Sequence, residues 1–193
     1  FPADGSTAVC YIYCNFRRTQ EQKLDDLLGS LLRQLAQGQA PFPRSVMDLY
    51  ERHKDRRTRP SIEEICTALH SVIASYSRVF VVVDALDECD VSNGCRPRFV
   101  SELLLLQAQL GANLLATSRF IPEIIERFSQ SANKEIRATV EDIGRYLEGC
   151  MIGLPRFVST NIDLQEKIKE KIIKAAEGMC VYLPSRWSNT DSR

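Results

Sequence analysis

The chain has 193 residues, 44% hydrophobic and 26% charged, the usage of an ordinary soluble globular domain with room for a small appendage. Lys and Arg total 25 and Asp and Glu total 25, so net charge argues against a nucleic-acid partner or an anionic membrane surface. No apolar run approaches the roughly 18 residues that cross a bilayer, and Phe1-Pro2-Ala3-Asp4-Gly5 lacks the basic and apolar regions of a secretory leader. A start without Met reads as a fragment. The seven cysteines (Cys10, Cys14, Cys66, Cys89, Cys95, Cys150 and Cys180) include no CxxC pair. His53 and His70 stand at no zinc-ligand spacing from them. They are expected as small buried thiols of a reducing, cytoplasmic compartment.

Ala8-Val9-Cys10-Tyr11-Ile12-Tyr13 reads as a buried strand. Leu24, Leu27, Leu28, Leu31, Leu32 and Leu35 then recur at helical spacing, one apolar stripe on a long helix that Gly38 ends and Pro41 and Pro43 keep ended. A short helix follows through Val46, Leu49 and Tyr50. The basic run Arg52 to Arg59 lacks interleaved aromatic residues for base stacking, so it reads as a solvated loop. Ser61 and Glu64 form a capping-box signature for a helix buried through Ile65, Leu69, Val72 and Ile73.

Arg78-Val79-Phe80-Val81-Val82-Val83-Asp84 comes next, apolar without interruption and mostly β-branched, the pattern of a parallel strand buried on both faces. It ends in Asp84, Asp87 and Glu88. Ser92-Asn93-Gly94 makes a turn, and a helix through Phe99, Leu103, Leu106 and Leu110 closes at Gly111. Asn113 to Ser118 is a third strand, Pro122 opens a short helix, and Glu135 to Ala138 is expected as a fourth strand. Helices alone follow: one capped by Thr139 and Asp142 and reaching Leu147, then, after Gly153-Leu154-Pro155, one with Ile162, Ile168, Ile172 and Ile173 that ends at Gly178. The expected class is therefore α/β, a parallel sheet flanked by helices and followed by the start of a helical subdomain. The divisions fall at 1–138, 139–182 and a polar tail, 183–193.

Carboxylates at the carboxyl end of a parallel strand stand where open α/β sheets bind ligands. They suit a hydrated Mg2+ on a nucleotide phosphate, since that ion takes oxygen ligands and keeps several waters. Asp84 thus reads as a Walker B acid. Each residue also has a plainer role open to it. Asp87, Glu88 and Asp90 suit helix capping or a solvated loop, and Arg119 suits a surface ion pair. Asp84, ending a buried strand, needs a partner or an ion.

At VFVVVDALDEC, followed some thirty residues later by NLLATSR, the chain resembles the NACHT branch of the STAND-class P-loop NTPases. It is most similar to the nephrocystin-like NACHT modules of multidomain fungal proteins. YIYCNF, LLGSLLRQLAQ, RPSIEEI, IPEII, EDIGRYL and AAEGM extend the resemblance over Val9 to Met179, with Glu177-Gly178-Met179 as its last landmark. The resemblance implies a P-loop NTPase-type fold in which Mg2+ with ATP or GTP switches a closed monomer to a self-associated signalling oligomer. Asp84 would hold the magnesium. Asp87 and Glu88 would be catalytic, orienting or polarising the attacking water. Thr117, Ser118 and Arg119 would form the sensor segment that meets the γ-phosphate. These roles agree with phosphoryl transfer, which depends on charge neutralisation and in-line placement.

No GxxxxGK(S/T) loop occurs in the sequence, and Asp4-Gly5-Ser6-Thr7 is too short and lacks the lysine. The first strand, the loop and the first helix of such a fold are expected to be missing, which would leave this chain by itself inactive. A non-catalytic interaction scaffold is the alternative function. A metal-dependent hydrolase built on Asp84, Asp87 and Glu88 is a third, disfavoured by the lack of His or further carboxylate partners.

Overall fold

The computed structural model describes residues 6–176. Glu177-Gly178-Met179, the helix end at Gly178, Cys180 and the 183–193 tail lie outside the described residues, as does Phe1 to Gly5. The chain divides into two compact units between Ser131 and Ala132, some residues before the expected division at 138.

The first unit contains β1 (Thr7–Tyr13), α1 (Leu24–Gln37), α2 (Arg44–Lys54), α3 (Ile62–Ala74), β2 (Arg78–Asp84), α4 (Cys95–Leu110), β3 (Asn113–Ala116) and α5 (Pro122–Arg127). The three strands form a parallel sheet in the order β1-β2-β3. The chain steps in one direction across this sheet, and right-handed crossovers then place both sets of connecting helices on the same face. That face carries Cys10, Ile12, Val79, Val81 and Val83, all buried against the leucines of α1 and the apolar sides of α3 and α4.

β2 was expected to be covered on both faces, and it is not. Val79, Val81 and Val83 are buried, whereas Phe80 and Val82 are half-buried. The other face presents Tyr11, Tyr13 and Leu115 at 51%, 65% and 61% exposure beside them. A continuous apolar run does not distinguish one covered face from two, because both demand apolar residues at every position. The sheet's edges also differ. The Gln34 side-chain amide accepts from Tyr11 N at 3.0 Å and donates to Tyr11 O at 2.8 Å. Gln22 likewise accepts from Asn15 N and donates to Tyr13 O, each at 2.8 Å. Two glutamines thus occupy polar groups at the carboxyl-terminal half of β1's outer edge, where another strand would otherwise pair.

Local signals behave as their chemistry requires. Ser61 and Glu64 cap α3 reciprocally, and Gly111 ends α4 at φ +65. Gly38 ends α1 for a different reason, since its φ of −77 is open to any residue. A Cβ there would lie 2.9 Å from the Tyr76 hydroxyl, which donates to Leu35 O at 2.6 Å and so satisfies a carbonyl of α1's last turn.

The second unit contains α6 (Val140–Met151), α7 (Arg156–Ser159) and α8 (Ile162–Ala176). Thr139 and Asp142 form the cap of α6. Ile143, Leu147, Met151 and Val158 make a small core with Ile168, Ile172 and Ile173, while Ile162 is exposed. The expected fourth strand at Glu135–Ala138 is not a strand. Among the described residues no neighbouring ladder takes its amides, Ile136 is 86% exposed, and Arg137 Nε donates back to Glu135 at 2.7 Å. β-propensity without a pairing partner does not hold an extended segment in a sheet.

Gly38→Ala tests the contact that ends α1. Restricting the unfolded chain favours alanine slightly, but the displaced hydroxyl should give a net loss of about 1 kcal/mol. The loss should shrink in a Tyr76→Phe background, read as a double-mutant cycle by urea unfolding. Additive costs would show that the hydroxyl is not the obstacle.

Candidate functional site

The carboxyl ends of the three strands meet because the register aligns Tyr13 with Asp84 and Val83 with Ala116. Beyond β3 the ladder runs on for a residue: Thr117 N donates to Val83 O at 2.9 Å and Leu86 N to Thr117 O at 2.8 Å. This brings Thr117 against Asp84. Its hydroxyl donates to Asp84 Oδ1 at 2.5 Å and accepts from Ala85 N at 2.9 Å. Among the described residues no donor reaches Asp84 Oδ2. Ala85 itself is left-handed, at φ +53, a conformation costing a non-glycine residue roughly 1–2 kcal/mol. The Thr117 hydroxyl helps to hold it there, so the chain turns sharply at the acid instead of continuing as strand.

A 3-10 turn, Leu86–Glu88, follows. Asp87, its side chain 4% exposed, is gripped at both oxygens by Arg119, Oδ1 accepting from the backbone N–H at 3.0 Å and Oδ2 from Nε at 2.5 Å. Burial by itself raises the Asp87 pKa, but the Arg119 N–H, side-chain hydrogen bond and charge outweigh it and hold the carboxyl below its usual range. Glu88 accepts from Phe16 N at 3.4 Å, and Asp90 caps its own loop by accepting from Ser92 N at 2.8 Å. Four of the six predicted site residues thus fall into two pairs, Asp84 with Thr117 and Asp87 with Arg119. Glu88 is held apart on the β1 side, and Ser118 Oγ donates to Arg119 O at 2.7 Å, making no bond to the acids.

One participant was not foreseen. Arg96, with a side chain only 10% exposed, donates from Nη1 to Asp87 O at 3.2 Å and from Nη2 to Glu123 Oε2 at 2.9 Å. It holds the acidic turn from behind. A signal existed, because an arginine in the first turn of α4 opposes the helix dipole and so needs a tertiary reason.

Among the described residues no group of three His, Cys, Asp or Glu side chains converges as a metal cage. The donors fit a cation only in part. Asp84 and the Thr117 hydroxyl suit a magnesium held mainly by water and nucleotide oxygens, but the sequence supplies no lysine-bearing glycine loop for the phosphates. A concavity of about 600 Å³ lies elsewhere, lined by Arg52, His53, Asp55, Arg56, Thr58 and Glu64. Glu64 there is engaged internally, taking Arg52 at 2.9 Å and His53 at 3.0 Å. None of the predicted residues lines it. No described helix is long and apolar enough to cross a membrane.

Comparison with known proteins returned one family. The family model described as nephrocystin 3, N-terminal, matches residues 2–119, from before β1 to the arginine that pairs with Asp87. No curated protein and no solved structure matches the chain.

Arg119→Ala tests the Asp87 pair. The folded-state pKa of Asp87 lies below that of the unfolded chain. The pair's stabilisation is therefore complete above about pH 4 and lost as pH falls through the lower, folded value. The variant should lose about 1–2 kcal/mol near pH 7, discounted for the exposed guanidinium. Urea unfolding at pH 7 and again near pH 3 should show that gap closing, whereas a gap unchanged by pH would remove Asp87 as its source.

Proposed function

Because the chain belongs to the nephrocystin 3 N-terminal family, we propose that it is the nucleotide-handling part of a NACHT-type signalling NTPase of the STAND class. In the complete protein, binding and slow hydrolysis of ATP or GTP with Mg2+ would be coupled to self-association. The observation that carries this reading is the Thr117–Asp84 bond at the meeting point of three parallel strand ends, with Asp84 Oδ2 left for a cation or its water.

Bound Mg2+ would neutralise phosphate charge, and Asp84 is the residue to hold it, with Thr117 fixing the carboxylate's orientation. Arg119 is the phosphate-sensing group. Its guanidinium lies 70% exposed on Asp87, so an arriving phosphate competes with a single carboxylate for it. Release of the Arg119 guanidinium would free Asp87 Oδ2 to orient water while the Arg119 backbone N–H keeps Oδ1 in place, with Glu88 nearby in sequence for the same task. Ser118 completes the sensor segment. The residues thus have an order of action in which Asp87 is unavailable as a base until Arg119 has moved.

A non-catalytic scaffold is the second reading, and two observations favour it. Both oxygens of Asp87 are already taken, and Tyr11, Tyr13 and Leu115 expose an apolar sheet face of the kind that proteins bind.

Mn2+ substituted for Mg2+, with ATP or GTP in millimolar excess, separates the two. On the NTPase reading, the paramagnetic ion broadens the backbone amide signals of Ala85 and Thr117 in the labelled chain, and Asp84→Asn abolishes the broadening. Signals untouched near Asp84, or broadening indifferent to that substitution, leave the scaffold. Isothermal titration of Mg-ATP should show no micromolar binding, because backbone N–H groups and a lysine normally grip the phosphates.

A further inference from the structure

The basic run between α2 and α3 has no part in the candidate site, and its backbone departs from what a turn there favours. After α2 ends at Lys54, Thr58 N donates to His53 O and Arg57 N to Lys54 O, both at 3.3 Å. This pair of bonds is the Schellman closure of a helix, whose left-handed position is most often glycine. Here that position is Arg57, at φ +50. Glycine would adopt this conformation without strain, so the arginine side chain needs a role outside the turn. The turn presents Thr58, the single hydroxyl between Arg52 and Arg59, exposed on a stretch that is neither helix nor strand.

The surroundings of that hydroxyl are cationic. Thr58 Oγ1 lies 2.8 Å from His53 Nδ1, and His53 Nε2 lies 3.0 Å from Glu64 Oε2. A carboxylate only accepts, so Nε2 carries a proton toward Glu64, and in the neutral ring Nδ1 accepts from Thr58. Arg52 and Arg56 line the same concavity as Thr58. The guanidiniums of Arg56 and Arg57 make no hydrogen bond or ion pair among the described residues. Arginines directly before an exposed hydroxyl, with a further arginine and an imidazole beside it, suit a dianion on that oxygen. We propose that Thr58 is a phosphorylation site for an arginine-directed protein kinase, and that Arg52, Arg56 and His53 receive the phosphate.

In the transfer, Thr58 Oγ1 attacks the γ-phosphorus of an ATP held by the kinase. The O–P bond to Thr58 forms, the bond from that phosphorus to the bridging oxygen breaks, and ADP leaves. The hydroxyl proton passes to the kinase's own base. Asp55 and Glu64 also line the concavity, so the new phosphate takes its cations from carboxylates, which its second negative charge favours. It competes for Arg52, now 2.9 Å from Glu64 Oε1, and for His53. Ser61 N, which donates to Glu64 Oε2 at 2.9 Å, keeps its place in the α3 cap. Modification therefore redistributes the ion pairs that join α2 to α3 and leaves the start of α3 intact. The inference stands independently of nucleotide binding at Asp84, because the ATP belongs to the kinase.

The test is phosphorylation of the whole chain with Mg-ATP. The catalytic fragment of protein kinase C and the catalytic subunit of cAMP-dependent protein kinase are used separately, and the products are mapped by mass spectrometry. The expected result is a phosphoryl group on Thr58, absent without kinase and lost in Thr58→Ala. Arg57→Gly relieves the turn, so a purely structural arginine would leave the rate unchanged, whereas the proposal expects a several-fold slower modification. The phosphorus NMR signal of the product should titrate at lower pH than in an Arg52→Gln, Arg56→Gln double variant, because nearby cations favour the dianion. Thr58 left unmodified by both kinases overturns the proposal, as does an undiminished rate in Arg57→Gly or a phosphate titration indifferent to the two arginines. The mapping needs only the unsubstituted chain, so a variant that fails to fold leaves the test intact.

Discussion

Val79, Val81 and Val83 enter the core together with the leucine stripe of α1, and this alternation along β2 controls what lies at its end. A shift of a single residue would turn these valines toward the uncovered face and direct Asp84 into the apolar layer. Each fully buried valine or leucine is worth about 1.5–3 kcal/mol before chain entropy is subtracted, so a slipped register has no compensating gain. Packing behind the sheet therefore decides which residues meet in front of it. Thr117 reaches Asp84 because Val83 and Ala116 are neighbours in the ladder.

The polar groups at the strand ends are held in a conformation that would not persist unaided. Ala85 is left-handed, and the turn after it carries a carboxylate that is almost wholly withdrawn from water. Two separate elements supply the compensation. The segment after β3 gives the Thr117 hydroxyl and the backbone N–H and Nε of Arg119, and α4 gives buried Arg96 to the Asp87 carbonyl. A buried charge needs such partners, since a carboxylate without them would neutralise by taking up a proton. The same partners make Asp87 a poor base as it stands, so any chemistry requires the Arg119 contact to open first.

The two sides of the sheet differ in consequence of its topology. Strands added in one direction through right-handed connections leave all their helices on one face. The other face keeps apolar side chains that water only partly reaches. Gln22 and Gln34 supply an amide donor and acceptor apiece at the carboxyl-terminal half of β1's outer edge, where a strand would have bound.

Much of this was legible from residue order. The leucine spacing of α1, the Ser61–Glu64 and Thr139–Asp142 caps, the Gly111 stop and the acids ending β2 are local signals, and each depends on neighbours within a few residues. The family resemblance rests on the same segments, and the nephrocystin 3 match covers those up to Arg119. The fourth strand failed because a strand exists only with a partner, and Glu135 to Ala138 has none. The second cover on β2 failed because apolar composition does not count faces. What the tertiary structure alone decided was pairing: Arg119 to Asp87, Thr117 to Asp84, and Arg96 to the acidic turn. Each joins segments separated along the chain. Hydrogen bonds and ion pairs act over a few ångströms of space, so side-chain type names the candidates and only folding selects among them.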